Sequence, residues 1–352
     1  MKQFKNITLD MGGGGEKSGE LISDIRKVVK DTGKWKNTGD DGAVFELPSK
    51  VTSRKKGGPS TSLRTSFVNP KLVFTTDAFI IDPIFFPGGD IGKIAMCGTI
   101  NDVSMMGAEP IGVSLSIVIE EGFPRKDFEK ILKSIHKVSR ESGVPVVTGD
   151  TKVTEKGKID KIEITTAGVG LTQKVVENRG IKNNDYIISS GDLGEHAVAL
   201  LAYRFNYKTN IKTDSKALNK EIEKVGKLLN ACKDPTRGGL AANLVEMAEK
   251  SGSQITMDEK TLPYKKEVVA VTELLGLDKF SLASEGRFIA SVSPRNVDKV
   301  LRELQKFNKE AKVIGRAKKA KTKKEVGVFV ETDLGGKRKI EMPRGKLIPR
   351  IC

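Results

Sequence analysis

Apolar positions recur along the chain with two periods, one near 3.6 and one of 2, and their alternation lays out the elements. Leu21, Ile25, Val28 and Val29 share one face of a helix that begins near Ser18, just after a glycine run at 12–15. A turn at 39–42 feeds an alternating strand over 43–47, and a second strand at 72–74 runs into Thr75, Thr76 and Asp77. Asp90 is a good N-cap for an apolar helix reaching Gly107, with Asn101 and Asp102 inside it. A strand at 111–119 precedes a helix carrying Phe128, Ile131, Leu132, Ile135 and Val138, which leaves His136 on its outer side. A strand at 144–147 leads into Thr148, Gly149, Asp150, Thr151 and Lys152, and another spans 162–169.

A polar connector at 171–183 separates this half from a second one that starts afresh. Its expected elements are a strand at 186–188, a helix through Ala197 and Leu201, and a helix over 218–229 with Cys232 packed just beyond it. A helix carrying Leu240, Leu244 and Met247 follows, then helices near 264–275 and 296–307 and strands at 288–292, 312–315 and 326–331. The pattern predicts an α/β protein, layered α+β in detail, with a first domain over 1–170, a second over 184–336 and a flexible tail over 337–352. The basic stretch at 50–66, rich in Gly, Ser and Thr, reads as an exposed insertion.

Composition narrows the class. With 38% hydrophobic and 30% charged residues, and no apolar run of membrane length, the chain is expected to be a cytoplasmic globular protein. Three cysteines at 97, 232 and 352 fit neither a disulfide framework nor a zinc site. Cys97, between Met96 and Gly98, reads as a core thiol. The net charge of +16 raises nucleic acid as a partner, but at 5% aromatic content stacking modes are disfavoured, and lysine-rich solvated faces account for the excess.

The candidate chemistry lies in acidic residues beside glycine at strand ends and helix edges: Asp40 and Asp41, Asp77, Asp102, and Asp150. Each alone is explained by a turn, but together they suit a hard cation held between protein and phosphate oxygens, which points to ATP with Mg²⁺. The run from Asp234 through Thr236 and Arg237 to Gly239 sets an acid, a base and glycines at a helix start. Cys352 ends the chain beside Arg350, where a thiolate is favoured; a terminal thiol can travel and carry an acyl-type group, or it is simply where the chain stops.

These motifs, in order, resemble those of the HypE family of hydrogenase maturation factors: Gly39-Asp40-Asp41, Thr75-Thr76-Asp77, the stretch from Asn101-Asp102 to Ala108, Gly149-Asp150-Thr151-Lys152, the run 234–239, and Pro349-Arg350-Ile351-Cys352. All but the tail are also similar to the wider ATP-using superfamily of aminoimidazole ribonucleotide synthetase, selenophosphate synthetase and thiamine monophosphate kinase. The resemblance implies the two-domain fold of that superfamily, a homodimer formed largely through the first domains, and an ATP–Mg²⁺ site. It implies nucleotide contacts from Asp40, Asp41, Asp77, Asn101, Asp102, Gly149, Asp150, Thr151, Asp234, Thr236 and Arg237, with Asp40, Asp77, Asp102 and Asp150 as metal ligands. It further implies that Cys352 receives a carbamoyl group from HypF and that ATP drives its dehydration to a thiocyanate. Lys152 then stabilises charge, Glu285 removes protons, and cyanide passes to iron on HypC–HypD. The alternative is a superfamily kinase or synthetase acting on a diffusible small molecule.

Overall fold

The computed structural model describes residues 7–8, 11, 15–28, 34–37, 39–47, 70–332 and 335–343. The basic stretch at 50–66 and Cys352 lie outside the described residues.

The first half runs α1 (Gly15–Val28), β1 (Ala43–Glu46), β2 (Lys71–Phe79), a small ribbon of β3 (Phe85–Phe86) and β4 (Gly89–Asp90), α2 (Ile91–Met105), β5 (Glu109–Glu120), α3 (Arg125–Ser142), β6 (Val146–Thr154) and β7 (Ile162–Thr172). Five strands form one sheet in the order β1-β2-β7-β5-β6, antiparallel except for the β5–β6 pair, which α3 connects. Helix α2 starts at Asp90, whose carboxylate accepts from Lys93 N at 3.0 Å and so satisfies an otherwise orphaned amide. Helix α3 stops at Gly143, which takes the left-handed conformation with φ of 78°. Ile131, Ile135 and Val138 bury one side of α3 against Ile94 and Ile100 of α2 and against Val113, Ile117 and Ile164 of the sheet, while His136 is exposed.

Both helices pack on the same side of the sheet. Because side chains alternate, Val73, Thr75, Asp77 and Phe79 of β2 and Ile162, Ile164 and Thr166 of β7 face the helices. Phe74, Thr76, Ser116 and Thr165 face the other way. No helix of the described residues covers that open face.

The second half runs β8 (Tyr186–Ser189), α4 (Glu195–Arg204), α5 (Asn219–Val225), β9 (Leu229–Lys233), α6 (Gly239–Ser251), β10 (Ser253–Asp258), α7 (Lys266–Leu275), β11 (Ile289–Val292), α8 (Val297–Leu304), β12 (Lys312–Lys319), β13 (Gly327–Glu331) and β14 (Lys337–Ile340). Its seven-stranded sheet has the order β14-β13-β10-β12-β8-β11-β9. Adjacent residues of β8 serve opposite sides: Ile187 packs with Leu244 and Met247 of α6, and Ile188 with Ile222 of α5 and Val300 of α8. No helix of the described residues is long and apolar enough to cross a membrane.

Several expected boundaries move. β2 continues through Asp77 to Phe79, so Asp77 sits inside a strand. Gly149, Asp150, Thr151 and Lys152 are likewise part of strand β6, not of a loop after it. The helix expected over 218–229 ends at Val225, and Leu229 to Lys233 form β9, which buries Cys232. Residues 337–340, assigned to the tail, form β14 and pair with β13.

Candidate functional site

The two halves are sewn together at Asn101 of α2. Its amide nitrogen donates to Lys216 O at 3.1 Å and to Glu285 O at 3.2 Å, and its amide oxygen accepts from Leu218 N at 2.8 Å. That fixes the next residue, Asp102, at the seam. Asp102 accepts a hydrogen bond from Thr75 Oγ1 at 2.9 Å and shares another with Asp77 across from it on β2. The turn before β1 brings in Asp41; Gly42 is needed there, since a Cβ would lie 2.9 Å from Val73 Cγ1. From the second half, β9 delivers Lys233 and Asp234, and the turn before α6 delivers Arg237. That turn requires glycine: Gly239 has φ of 59°, and a Cβ on it would come within 2.5 Å of Leu282 O.

Electrostatics bind these groups into one cluster. Burial, reinforced by the charges of Asp77, Asp234 and Asp41, holds the Asp102 carboxyl well above the usual carboxylate range. Burial also raises Asp77, against the pull of Arg237, whose guanidinium lies 3.3 Å from Asp77 Oδ1. Asp234 is pushed up to about 7 by burial and by Asp41, with Lys233 opposing. Burial works against the Lys233 ammonium, but Asp41, its ion-pair partner, and Glu246 more than offset it and raise its pKa. Glu285, 3% exposed, is raised well above its ordinary value by burial first and then by Asp234, Asp214 and Asp77. Buried carboxyls of one sign this close together share protons or admit a cation.

The orphaned oxygens support the second option. Asp41 Oδ2 and Asp234 Oδ2 are buried without a hydrogen-bond partner among the described residues. Among those residues, no group of three or more His, Cys, Asp or Glu is arranged to hold a metal ion. Mg²⁺ does not need such a cage, because it takes one or two protein carboxylates and completes its shell with water and phosphate oxygens. Asp77 and Asp102 fit that requirement.

Other expected site residues are placed elsewhere. Asp40 is engaged by Lys250 Nζ at 2.9 Å, Asn37 Nδ2 at 3.2 Å and Asn178 N at 3.3 Å, so it braces the turn and does not join Asp77 and Asp102. Asn101 is spent on the seam. Asp150 accepts from Thr151 N at 2.9 Å, and Gly149, Asp150, Thr151 and Lys152 are all exposed on β6. In register, Asp150 lies beside Ser116 and Lys152 beside Val118, on the open face, whereas Asp77 and Asp102 lie on the helix face. Lys152 and Glu285 are therefore not brought together within one chain. Thr236 is half-buried in the turn that carries Arg237, and its carbonyl accepts from Gly239 N at 3.0 Å. Sequence reasoning missed Lys233, although its place next to Asp234 marked it as a candidate counter-ion.

Residues 39–172 match the family model for the AIR synthase related protein N-terminal domain, and residues 182–327 match the model for its C-terminal domain. The carbamoyl dehydratase HypE of Rhizobium leguminosarum bv. viciae is 38% identical over 98% of the chain and 95% of its own length. A solved HypE–HypF complex superposes with a TM-score of 0.79 at 34% identity, covering 92% of this chain and 99% of that one. A hydrogenase maturation protein HypE solved in complex with ATP gives 0.76 at 34% identity, covering 99% and 100%.

Proposed function

The chain belongs to the AIR synthase related family and, within it, to the HypE carbamoyl dehydratases; from that premise we propose that it uses ATP to dehydrate a carbamoyl group carried on Cys352. The observation that carries the reading is Glu285, a buried carboxyl of raised pKa set against the acid cluster where the two halves meet.

The amide oxygen of a thiocarboxamide is a poor leaving group. Its attack on the γ-phosphorus of ATP, with loss of one N–H proton, gives an O-phosphorylated imidate and ADP. Loss of the second proton and cleavage of the C–O bond then give the thiocyanate and inorganic phosphate. Glu285 is the base. Burial makes its carboxylate a stronger base than an exposed one, and its position is fixed from both sides, because Asn101 holds its carbonyl and Asp214 Oδ1 accepts from its N–H at 2.9 Å. Arg237, which pairs with Asp77 and is partly exposed at the turn before α6, meets the phosphates. Asp77 and Asp102, aided by Asp41 and Asp234, would hold Mg²⁺, which when bound neutralises charge on the phosphoryl oxygens.

Lys152 and Asp150 reach the reaction from a second copy. Strand β6 is an exposed edge with Val147 60% and Val153 69% exposed, and across the sheet Phe74 of β2, on the open face, is 40% exposed. An unpaired strand edge and an uncovered face with exposed apolar side chains among polar ones can pair with another chain. A homodimer through this sheet brings Lys152 of one protomer to the cluster of the other. HypF supplies the carbamoyl group, and HypC–HypD receives the cyanide.

The test is the intact mass of the protein after incubation with HypF, carbamoyl phosphate and ATP–Mg²⁺. Carbamoylation at Cys352 followed by loss of one water is expected. Glu285→Gln should accumulate the carbamoylated form, and a Gln variant that dehydrates at the normal rate would remove Glu285 from the mechanism. An unmodified tail, with HypF active on another substrate, would instead favour a kinase of a diffusible small molecule.

A further inference from the structure

Away from the acid cluster, the connector between the halves and the turn leading into α8 enclose a hollow of about 450 Å³, lined by Lys174, Lys182, Lys227, Asn230, Ser293 and Arg295 among others. No carboxylate lines it. Lys182, Lys227 and Arg295 form no ion pair among the described residues, whereas Lys306 and Lys312 on the same half pair with Glu303 at 2.7 Å and Glu310 at 3.6 Å. Lys174 Nζ reaches into the same region, donating to Lys227 O at 3.0 Å and Leu229 O at 2.8 Å. Its pKa is depressed by burial and then by the charge of Lys182, as happens where cations gather without a counter-ion. Ser293 Oγ is buried with no hydrogen-bond partner among the described residues. Asn296, at the positive end of α8, also borders the hollow and caps nothing with its side chain.

Ammonium groups, a guanidinium fork and an unused hydroxyl around one concavity are the complement of a tetrahedral oxyanion. We propose that this hollow binds the phosphate group of a small anion, at a site separate from the nucleotide site. The volume is in the range of small-metabolite pockets, so the ligand is either free phosphate or a phosphorylated metabolite. The site is also wired to the reaction centre. Lys174 ties the connector to Leu229 at the start of β9, and the same strand ends in Lys233, next to Asp234 of the acid cluster. An occupant here senses the phosphate that ATP turnover releases, or a metabolite of the same charge.

Calorimetric titration of the full-length protein with inorganic phosphate, and separately with ribose 5-phosphate, tests this. Both should bind with an affinity that falls as salt rises; the tighter of the two identifies the source. Lys182→Gln combined with Arg295→Gln should weaken binding by at least about tenfold, in line with losing two charge-assisted contacts, while ATP affinity stays unchanged. Asp102→Asn should leave the phosphate titration intact, which separates this site from the acid cluster. No binding of either anion, or undiminished binding in the double variant, would overturn the proposal.

Discussion

His196 shows what burial does to a titratable side chain that has only half its hydrogen bonds. It is fully buried on α4, its Nδ1 sits 2.7 Å from Thr213 Oγ1, its Nε2 has no partner among the described residues, and Phe86 meets its ring edge-on. Burial first, and then the charges of Lys93 and Arg204, push its pKa from 6.5 down to about 3. The folded state thus refuses a proton that the unfolded chain accepts. Stability is fully present above pH 6.5 and is lost as pH falls from there toward 3, by about 1.4 kcal/mol per pH unit at the steepest. His196→Asn keeps a partner for Thr213 without the titration. Urea midpoints at pH 7.5, 6 and 5 should therefore fall less in the variant than in the parent protein. Equal slopes would mean that other groups dominate acid unfolding. Asp102 gives a second residue-scale expectation. Its raised pKa makes the neutral carboxyl a comfortable folded form, so Asp102→Asn should keep the thermal midpoint within a few degrees while weakening Mg²⁺-dependent ATP binding by tenfold or more. Calorimetry with ATP in the presence and absence of Mg²⁺ measures both.

At the scale of elements, local glycine geometry decides more than apolar pattern does. Gly239 and Gly122 both have positive φ, but a Cβ on Gly239 collides with the Leu282 carbonyl, whereas one on Gly122 meets nothing within 4 Å. Gly122→Ala should cost about 1 kcal/mol from the left-handed backbone alone. Gly239→Ala should cost about 3 kcal/mol or more, and it should also impair ATP binding because the turn holding Arg237 must shift. Denaturant curves for the two variants check the ranking. The same elements show what could be read from the chain. α3 and β7 were plain because one side of each is buried, and the period survives in the residues. β9 was hidden: Leu218, Ile222, Val225 and Leu229 keep helical spacing straight through Gly226, although the helix ends at Val225. β10 begins with the buried polar pair Ser253 and Gln254, which interrupts the apolar run expected of a strand inside a sheet. In β6, Gly149 and Asp150 are turn formers, and an edge exposed on both faces imposes no alternation to contradict a loop. The acids of the site were legible through their glycine neighbours. Lys233, the partner of Asp41 at a separation of 192 residues, was not, because no local pattern records a tertiary ion pair.

The largest consequence belongs to the whole molecule. Within one chain the sheet of the first half separates Asp77 and Asp102, on its helix face, from Asp150 and Lys152, on its open face. No side-chain rotation carries a lysine through a hydrogen-bonded sheet. If all of these groups serve one reaction, two chains must supply them, and the exposed β6 edge with Val147 and Val153, together with Phe74 of β2 on the open face, offers the contact. Subunit mixing turns this into a measurement. Asp102→Asn and Lys152→Ala should each abolish dehydration as homodimers. Mixed in equal amounts and allowed to exchange, half of the dimers carry both variants. In each of these, one site combines the intact Asp102 of one chain with the intact Lys152 of the other, while the second site has lost both. Activity should therefore return to about a quarter of the unmutated level. A site built within a single chain gives no recovery at any mixing ratio. Phe74→Glu, which places a charge in the contact, should yield monomers by light scattering and lose the dehydration step, yet keep the fold by circular dichroism, since Phe74 is not part of either buried core.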